Sequence, residues 1–230
     1  MRLKKQIAIL ALGAGFAACT PQPATNLIED NMEFAQQQLR FAFDEIDYAI
    51  VNESPESRAK REKNGWGELT NPRNSEPDGT LNLVPSKDWT SGFFPGELWF
   101  LYEYTQNNFW KKKAQQHTDI LEKEKMNGST HDMGFKVYCS FGNGYRLTQD
   151  EHYKEVLLQS ARTLATRFKP AAGIIRSWDH STAKWVCPVI IDNMMNLELL
   201  FWATKEEQRL YVLPNSGRSC KNYDEASFPA

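Results

Sequence analysis

The chain of 230 residues lacks any excess of basic side chains, since 27 Lys and Arg stand against 29 Asp and Glu and leave a net charge of −2. A protein that binds nucleic acid needs such an excess to neutralise phosphates, so the composition argues against nucleic-acid partners. Cysteines number only four, and no two of them form a CxxC pair, which excludes the common structural zinc sites and thioredoxin-like motifs. No apolar run is long enough to cross the roughly 30 Å hydrocarbon layer of a membrane.

The longest apolar run, residues 7–18, follows the basic residues Arg2, Lys4 and Lys5. This order is typical of a signal peptide, which we predict over residues 1–18. Residues 16–19 resemble a bacterial lipobox, which implies cleavage before Cys19 and lipidation of its thiol, with plain secretion as the alternative. We therefore expect an exported bacterial lipoprotein of the periplasm or outer membrane, held to the membrane only by its lipid anchor. Residues 19–25 are predicted to be a tether.

Helical periodicity dominates the rest of the chain, and no segment shows a convincing strand pattern. A helix is predicted over 26–50, beginning at a capping box formed by Asn26 and Glu29, and residues 52–87 are expected to form a long polar loop. Further helices are predicted over residues 93–106, 109–125, 132–147, 151–168 and 189–204.

These later helices alternate in character. Segments 93–106, 132–147 and 189–204 are apolar on nearly every side and should be buried, whereas 109–125 and 151–168 are amphipathic. The alternation fits a toroid of helical hairpins, with inner helices covered by outer ones, or a helical solenoid. Cys139 and Cys187 are interpreted as small buried apolar residues in preference to a disulfide.

Polar clusters stand at the beginning of each apolar helix. In a toroid the inner helices run in the same direction, so Trp89, Asp132 and Asp192 should converge at one end, where the helix N-termini favour an anionic ligand.

Each of these residues also has a structural interpretation. Asp132 could be an N-cap, and Asp192 could be a buried carboxylate with a structural partner. Trp89 and Trp178 could pack within loops, and His131 could bond a loop carbonyl.

Four motifs resemble the family 88 glycoside hydrolases, the unsaturated glucuronyl hydrolases. They are DWTSGFFPGELW at 88–99, THDMGF at 130–135, IIRSWDH at 174–180 and IIDNMMNLELLFWAT at 190–204. The resemblance implies an all-α fold, the (α/α)6 barrel. It also implies release of a 4,5-unsaturated uronic acid from the non-reducing end of glycosaminoglycan-like oligosaccharides made by polysaccharide lyases.

The resemblance also implies roles for individual residues. Asp192 would be the general acid and base and Asp132 the second catalytic carboxylate, while Trp89, His131 and Trp178 would bind the sugar. The apolar neighbours of Asp192 should keep it protonated near neutral pH, and Asp132 should stay ionised. No metal or cofactor is expected.

The motifs account for only about half of an (α/α)6 barrel. We expect residues 26–205 to form a partial catalytic domain with the open sides of helices 93–106 and 189–204 exposed, and residues 206–230 to be an aberrant non-helical tail of a truncated or frameshifted chain. Two alternatives remain open: another (α/α) barrel glycosidase or polysaccharide lyase, and a non-catalytic helical surface lipoprotein that binds glycans.

Overall fold

The structure is a computed structural model that describes residues 24–181 and 183–208. The predicted signal peptide, Cys19 and residues 209–230 of the predicted tail lie outside the described residues. Helices and strands follow one another along the described chain as α1 Ala24–Val51, α2 Pro55–Lys63, β1 Leu69–Ser75, β2 Leu81–Pro85, α3 Phe93–Thr105, α4 Asn108–Asp119, a 3-10 helix Glu122–Met126, a π-helix Gly134–Gly142, α5 Asn143–Thr148, α6 Glu151–Ala165, β3 Phe168–Lys169, β4 Ile174–Ile175, α7 Asn193–Asn196 and α8 Glu198–Glu207.

Helix α1 is amphipathic, as its periodicity predicts, and it buries Phe43 and Ile46 in the core. It begins at Ala24, within the predicted tether, and Asn26 is already helical. The predicted capping box at Asn26 is therefore wrong.

The segment predicted to be a loop, residues 52–87, is instead largely ordered. Ser54 caps α2 by accepting a hydrogen bond from the Ser57 amide, and β1 and β2 form an antiparallel hairpin that packs against α1. The prediction of no strands is wrong here and also at β3 and β4, which form a second short hairpin.

Three inner helical segments lie side by side: α3, then the π-helix with α5, then α7 with α8. Glycines at the contacts allow their backbones to approach closely, because a Cβ on Gly92 would lie 2.2 Å from the Phe135 carbonyl oxygen and one on Gly134 would lie 2.6 Å from the Cα of Asn196. These two contacts bring the N-terminal ends of the three inner segments together. Helices α4 and α6 pack against the inner segments, as the predicted alternation requires.

Several helices begin or end at residues other than those predicted. Helix α4 stops at Asp119 before the 3-10 helix, and α6 stops at Ala165 because Phe168–Lys169 pairs with Ile174–Ile175. The last helical segment starts at Asn193 and continues to Glu207, so the predicted non-helical tail does not begin at 206.

The inner segments are not buried on every side. Phe100 and Tyr104 of α3 and Phe201 of α8 are exposed, as expected for the open sides of these helices. Cys139 and Cys187 are free thiols, as predicted, although both are only partly buried. Among the described helices, none combines the length and the apolarity that a membrane crossing would need.

Candidate active site

A cavity of about 510 Å³ opens where the three inner segments begin. All five residues predicted to form the site line it, together with further residues from the same loops: Trp89, Ser129, Thr130, His131, Asp132, Ser177, Trp178, His180, Ile190 and Asp192. The structure therefore brings the predicted residues together, and their individual roles stay predictions.

The imidazole of His131 lies at the wall of the cavity and faces two carboxylates. Its Nε2 lies 3.2 Å from Asp132 Oδ1 and 3.9 Å from Asp192 Oδ1. The ring is almost completely buried, and its Nδ1 has no hydrogen-bond partner among the described residues. The backbone amide of His131 donates to the Ser177 carbonyl at 3.3 Å. The hydrogen bond to a loop carbonyl that was considered for His131 is therefore made by its main chain and not by its imidazole.

Asp132 is held by its own loop. Thr130 Oγ1 donates to Asp132 Oδ2 and accepts from the Asp132 amide at 3.1 Å. Because the carboxylate is directed to Thr130 and His131, it does not cap the π-helix, whose N-cap residue is Met133. The interpretation of Asp132 as an N-cap is therefore wrong.

Asp192 Oδ1 is buried and has no hydrogen-bond partner among the described residues. Burial raises the pKa of Asp192 above its ordinary value; His131 opposes this rise and the like charge of Asp132 adds to it. The buried His131 is thus a charged neighbour of Asp192 but does not hydrogen-bond its Oδ1, and the raised pKa is the direction that a general acid requires.

The surroundings of Asp192 differ from the prediction in one respect. The side chain of Asp192 is 34% exposed. Its neighbours Ile190, Ile191 and Met195 are themselves exposed and do not enclose it. The helix that follows it is a single turn, Asn193–Asn196, before a break at Leu197. The third predicted helix dipole at the cavity is accordingly weaker than that of a long helix.

The two tryptophans form apolar walls. Trp89 is 43% exposed and meets Phe93 and Phe135 at ring-centroid distances of 6.0 and 5.8 Å. Trp178 stacks on His180 with centroids 5.6 Å apart, and its buried indole N–H has no partner among the described residues. Both rings therefore keep a surface for the cavity instead of filling the core.

His131, Asp132 and Asp192 could also hold a cation. One ligand atom from each of these three residues lies within 4.8 Å of the others. This grouping alone does not test the expectation from the sequence that no metal is bound.

Two residues of the site were not predicted. Ser177 joins two loops, because its carbonyl accepts from the His131 amide and its Oγ accepts from the Ile190 amide at 3.2 Å. Asn196 Oδ1 accepts from the Phe135 amide at 3.0 Å and so links the segments that carry the two aspartates. Both residues stand inside the quoted motifs, which was the signal that could have found them.

Comparisons with known proteins agree on one family, although no protein-family model matches the chain. An unsaturated glucuronyl hydrolase from Formosa agariphila is 58% identical over 126 residues, which cover 54% of this chain and 32% of that protein. The crystal structure of an unsaturated glucuronyl hydrolase specific for heparin is 36% identical, with a TM-score of 0.68 over 86% of this chain and 49% of that one. These curated relatives and solved structures support assignment of the chain to the unsaturated glucuronyl hydrolase family.

A second solved structure of the family is an aspartate-to-asparagine variant with dGlcA-Glc-Rha-Glc. It is 25% identical, with a TM-score of 0.63 over 71% of this chain and 44% of that one. The family fold, the (α/α)6 barrel, confirms the predicted fold class over the solenoid, and this chain forms part of such a barrel. The chain spans about a third of the length of the Formosa relative and about half of the heparin-specific structure.

Proposed function

We propose that this chain carries the catalytic site of a glycoside hydrolase that releases a 4,5-unsaturated uronic acid from the non-reducing end of lyase-generated oligosaccharides. One observation carries the proposal: an imidazole between two carboxylates, one of them with a raised pKa, lies in a sugar-sized cavity with two accessible tryptophans. Family relatives named for glucuronyl substrates support the same class.

The substrate of this reaction is an enol ether, so its double bond can be hydrated. Asp192 gives its proton to C4 and assists the addition of water at C5. The resulting C5 hemiketal opens to a ketone, which leaves C1 as a hemiacetal that still bears the glycosidic oxygen. Collapse of this hemiacetal breaks the glycosidic link and frees the remaining saccharide, so that one water is consumed overall.

The other residues bind and orient the sugar in this proposal. Asp132, fixed by Thr130 and His131, accepts hydrogen bonds from ring hydroxyls. Trp89 and Trp178 offer ring faces for stacking on a sugar.

The distance between the carboxylates argues against ordinary inverting hydrolysis. Inverting glycosidases hold their two carboxyl groups about 6.5–9.5 Å apart to admit a water between them. In this cavity one oxygen of Asp132 lies within 4.8 Å of one oxygen of Asp192. The arrangement suits a single acid and base beside a binding carboxylate.

An absorbance assay tests the function, because the conjugated double bond absorbs in the ultraviolet. With an unsaturated disaccharide prepared by a polysaccharide lyase, we expect the absorbance to fall as the double bond is hydrated. With the parent polysaccharide, we expect no rise. A rise would identify a lyase, and binding of the disaccharide without any change in absorbance would identify a glycan-binding protein.

We also propose, from residues 16–19, that Cys19 is lipidated and that the chain is an exported lipoprotein of the periplasm or outer membrane. Cells expressing the full chain should hold it in the membrane fraction, and Cys19→Ser should move it to the soluble fraction. Retention of the Cys19→Ser chain in the membrane fraction would contradict this proposal.

A further inference from the structure

The guanidinium of Arg167 is buried near the candidate site but does not line the cavity. The Arg167 side chain is only 4% exposed. Its Nε donates to the Arg176 carbonyl at 2.7 Å, and its Nη1 donates to the Gly128 carbonyl at 2.5 Å. One side chain thus joins two segments that are 48 positions apart in the sequence.

The same guanidinium also makes a bidentate ion pair with Asp179. Nη1 lies 2.9 Å from Asp179 Oδ2 and Nη2 lies 3.3 Å from Oδ1. The hydrogen bonds from Arg167 hold the pKa of Asp179 below its ordinary value, so the carboxylate stays ionised and paired at neutral pH. Arg176 supports the pair, since its Nε lies 3.1 Å from Asp179 Oδ1 and donates to the Trp178 carbonyl at 2.9 Å.

Each partner of Arg167 stands directly beside residues of the cavity. Gly128 precedes the segment 129–132, which carries His131 and Asp132, and Arg176 precedes Ser177. Asp179 lies between Trp178 and His180, whose rings stack on each other. The guanidinium therefore ties the wall that holds the imidazole and Asp132 to the wall that holds Trp178.

We propose that Arg167 is a positioning residue that sets the separation between these two walls, and through it the place of Trp178 relative to His131 and Asp132. Its effect on a substrate rests on the proposed function; its effect on the loops does not. The geometry needs an arginine, because a planar fork can donate to two carbonyls and a carboxylate at once, whereas a lysine ammonium offers a single point charge.

The first test measures hydrogen exchange in the ligand-free chain with Arg167→Lys. Arg61→Lys is the control, since Arg61 likewise joins a carboxylate to a backbone carbonyl, both oxygens of Glu53 and the Gly67 carbonyl, away from the cavity. We expect amide exchange to accelerate about tenfold in both 129–132 and 176–180 for Arg167→Lys, with the exchange of α1 and α3 unchanged. For Arg61→Lys, exchange in these two loops should not change.

Two outcomes of this test would overturn the proposal. Exchange that accelerates in only one of the two loops would show that Arg167 does not join them. Exchange that accelerates equally throughout the chain would show a general loss of stability instead of a local positioning effect.

The second test uses the turnover of an unsaturated disaccharide. Arg167→Lys should raise KM about tenfold and change kcat less than about threefold, because Trp178 binds the sugar while Asp192 stands on a different segment. In a Trp178→Ala background, Arg167→Lys should cause little further increase in KM, because the Trp178 ring that Arg167 positions is absent. Fully additive effects would contradict the proposal. If the unaltered chain has no turnover, the proposed function fails, and the exchange experiment still decides the role of Arg167.

Discussion

Three features of its surroundings have the largest effects on the pKa of Asp192. Burial raises its pKa, the imidazole of His131 opposes the rise, and the charge of Asp132 adds to it. Because the carboxyl group is partly exposed, these effects should be screened but not abolished.

We predict that the Asp192 carboxyl titrates above the ordinary Asp value of about 3.9. Asp132→Asn removes the like charge and should lower the pKa of Asp192. Selective carbon labelling and an NMR titration of the ligand-free chain would measure both values. A pKa for Asp192 at or below the ordinary value, or a rise on Asp132→Asn, would contradict this assignment of charges.

Trp89, Asp132 and Asp192 could be found from the sequence because each stands in a polar cluster at the beginning of an apolar helix, whereas Trp178 was indicated only by the family resemblance. Ser177 stands in a quoted motif, but its role, like that of Arg167, could not be read from the sequence, because both residues act through backbone groups of residues distant in the sequence, such as His131 and Gly128. No local pattern reports which carbonyl a side chain will meet in the folded chain.

At the scale of helices and strands, the close approach of α3 to the π-helix determines where Trp89 lies relative to Asp132. Gly92 allows this approach, since any side chain there would meet the backbone of Phe135 and Lys136. Backbone atoms cannot move aside as a flexible side chain can, so a Cβ at position 92 would cause a steric clash that the neighbouring residues cannot easily relieve.

Gly92→Ala should therefore destabilise the chain by about 3 kcal/mol, the upper range for overpacking. Gly128→Ala is the control, because its Cβ would meet its nearest neighbour, Thr163 Cγ2, at an ordinary 3.8 Å. Urea unfolding of the three chains would measure the difference. Equal free energies of unfolding for Gly92→Ala and Gly128→Ala would show that the contact is not tight.

The inner and outer helices were predictable from periodicity, but the β1–β2 hairpin was not. Its strands carry Pro72 and several polar residues, and their pairing is irregular between Leu69 and Asn71, so no regular alternation appears in the sequence. Asn71 is completely buried, and its amide is satisfied only by contacts with Ser91 and His117 from other segments. Those tertiary contacts, which are not local, make the hairpin stable.

For the molecule as a whole, His117 couples folding stability to pH. It is buried between Phe43 of α1 and Phe94 of α3, and burial together with Lys113 lowers its pKa from 6.5 to about 4. Since Asn71 donates its amide N–H to the Ser91 carbonyl, its Oδ1 accepts from His117 Nδ1, and the ring is neutral in the folded chain.

The unfolded chain binds a proton at His117 below about pH 6.5, whereas the folded chain does so only below about pH 4. Folding stability should therefore fall as the pH drops from 6.5 to 4, by about 3 kcal/mol at 1.36 kcal/mol per unit of pKa. His117→Gln should remove most of this dependence, and the exposed His152→Gln should keep it. Urea unfolding at pH 7 and pH 4 would show the difference, and an unchanged pH dependence in His117→Gln would contradict the prediction.

The central claim is that Asp192 supplies the proton that starts the loss of the double bond. The most direct measurement follows the absorbance of an unsaturated disaccharide with the unaltered chain, with Asp192→Asn and with Asp150→Asn. Asp150 is the control because it only caps α6, and asparagine caps a helix equally well. We expect Asp192→Asn to slow the absorbance loss about 10²–10⁴-fold, the usual contribution of a general acid, and Asp150→Asn to leave the rate unchanged. Equal rates for the unaltered chain and Asp192→Asn would contradict it.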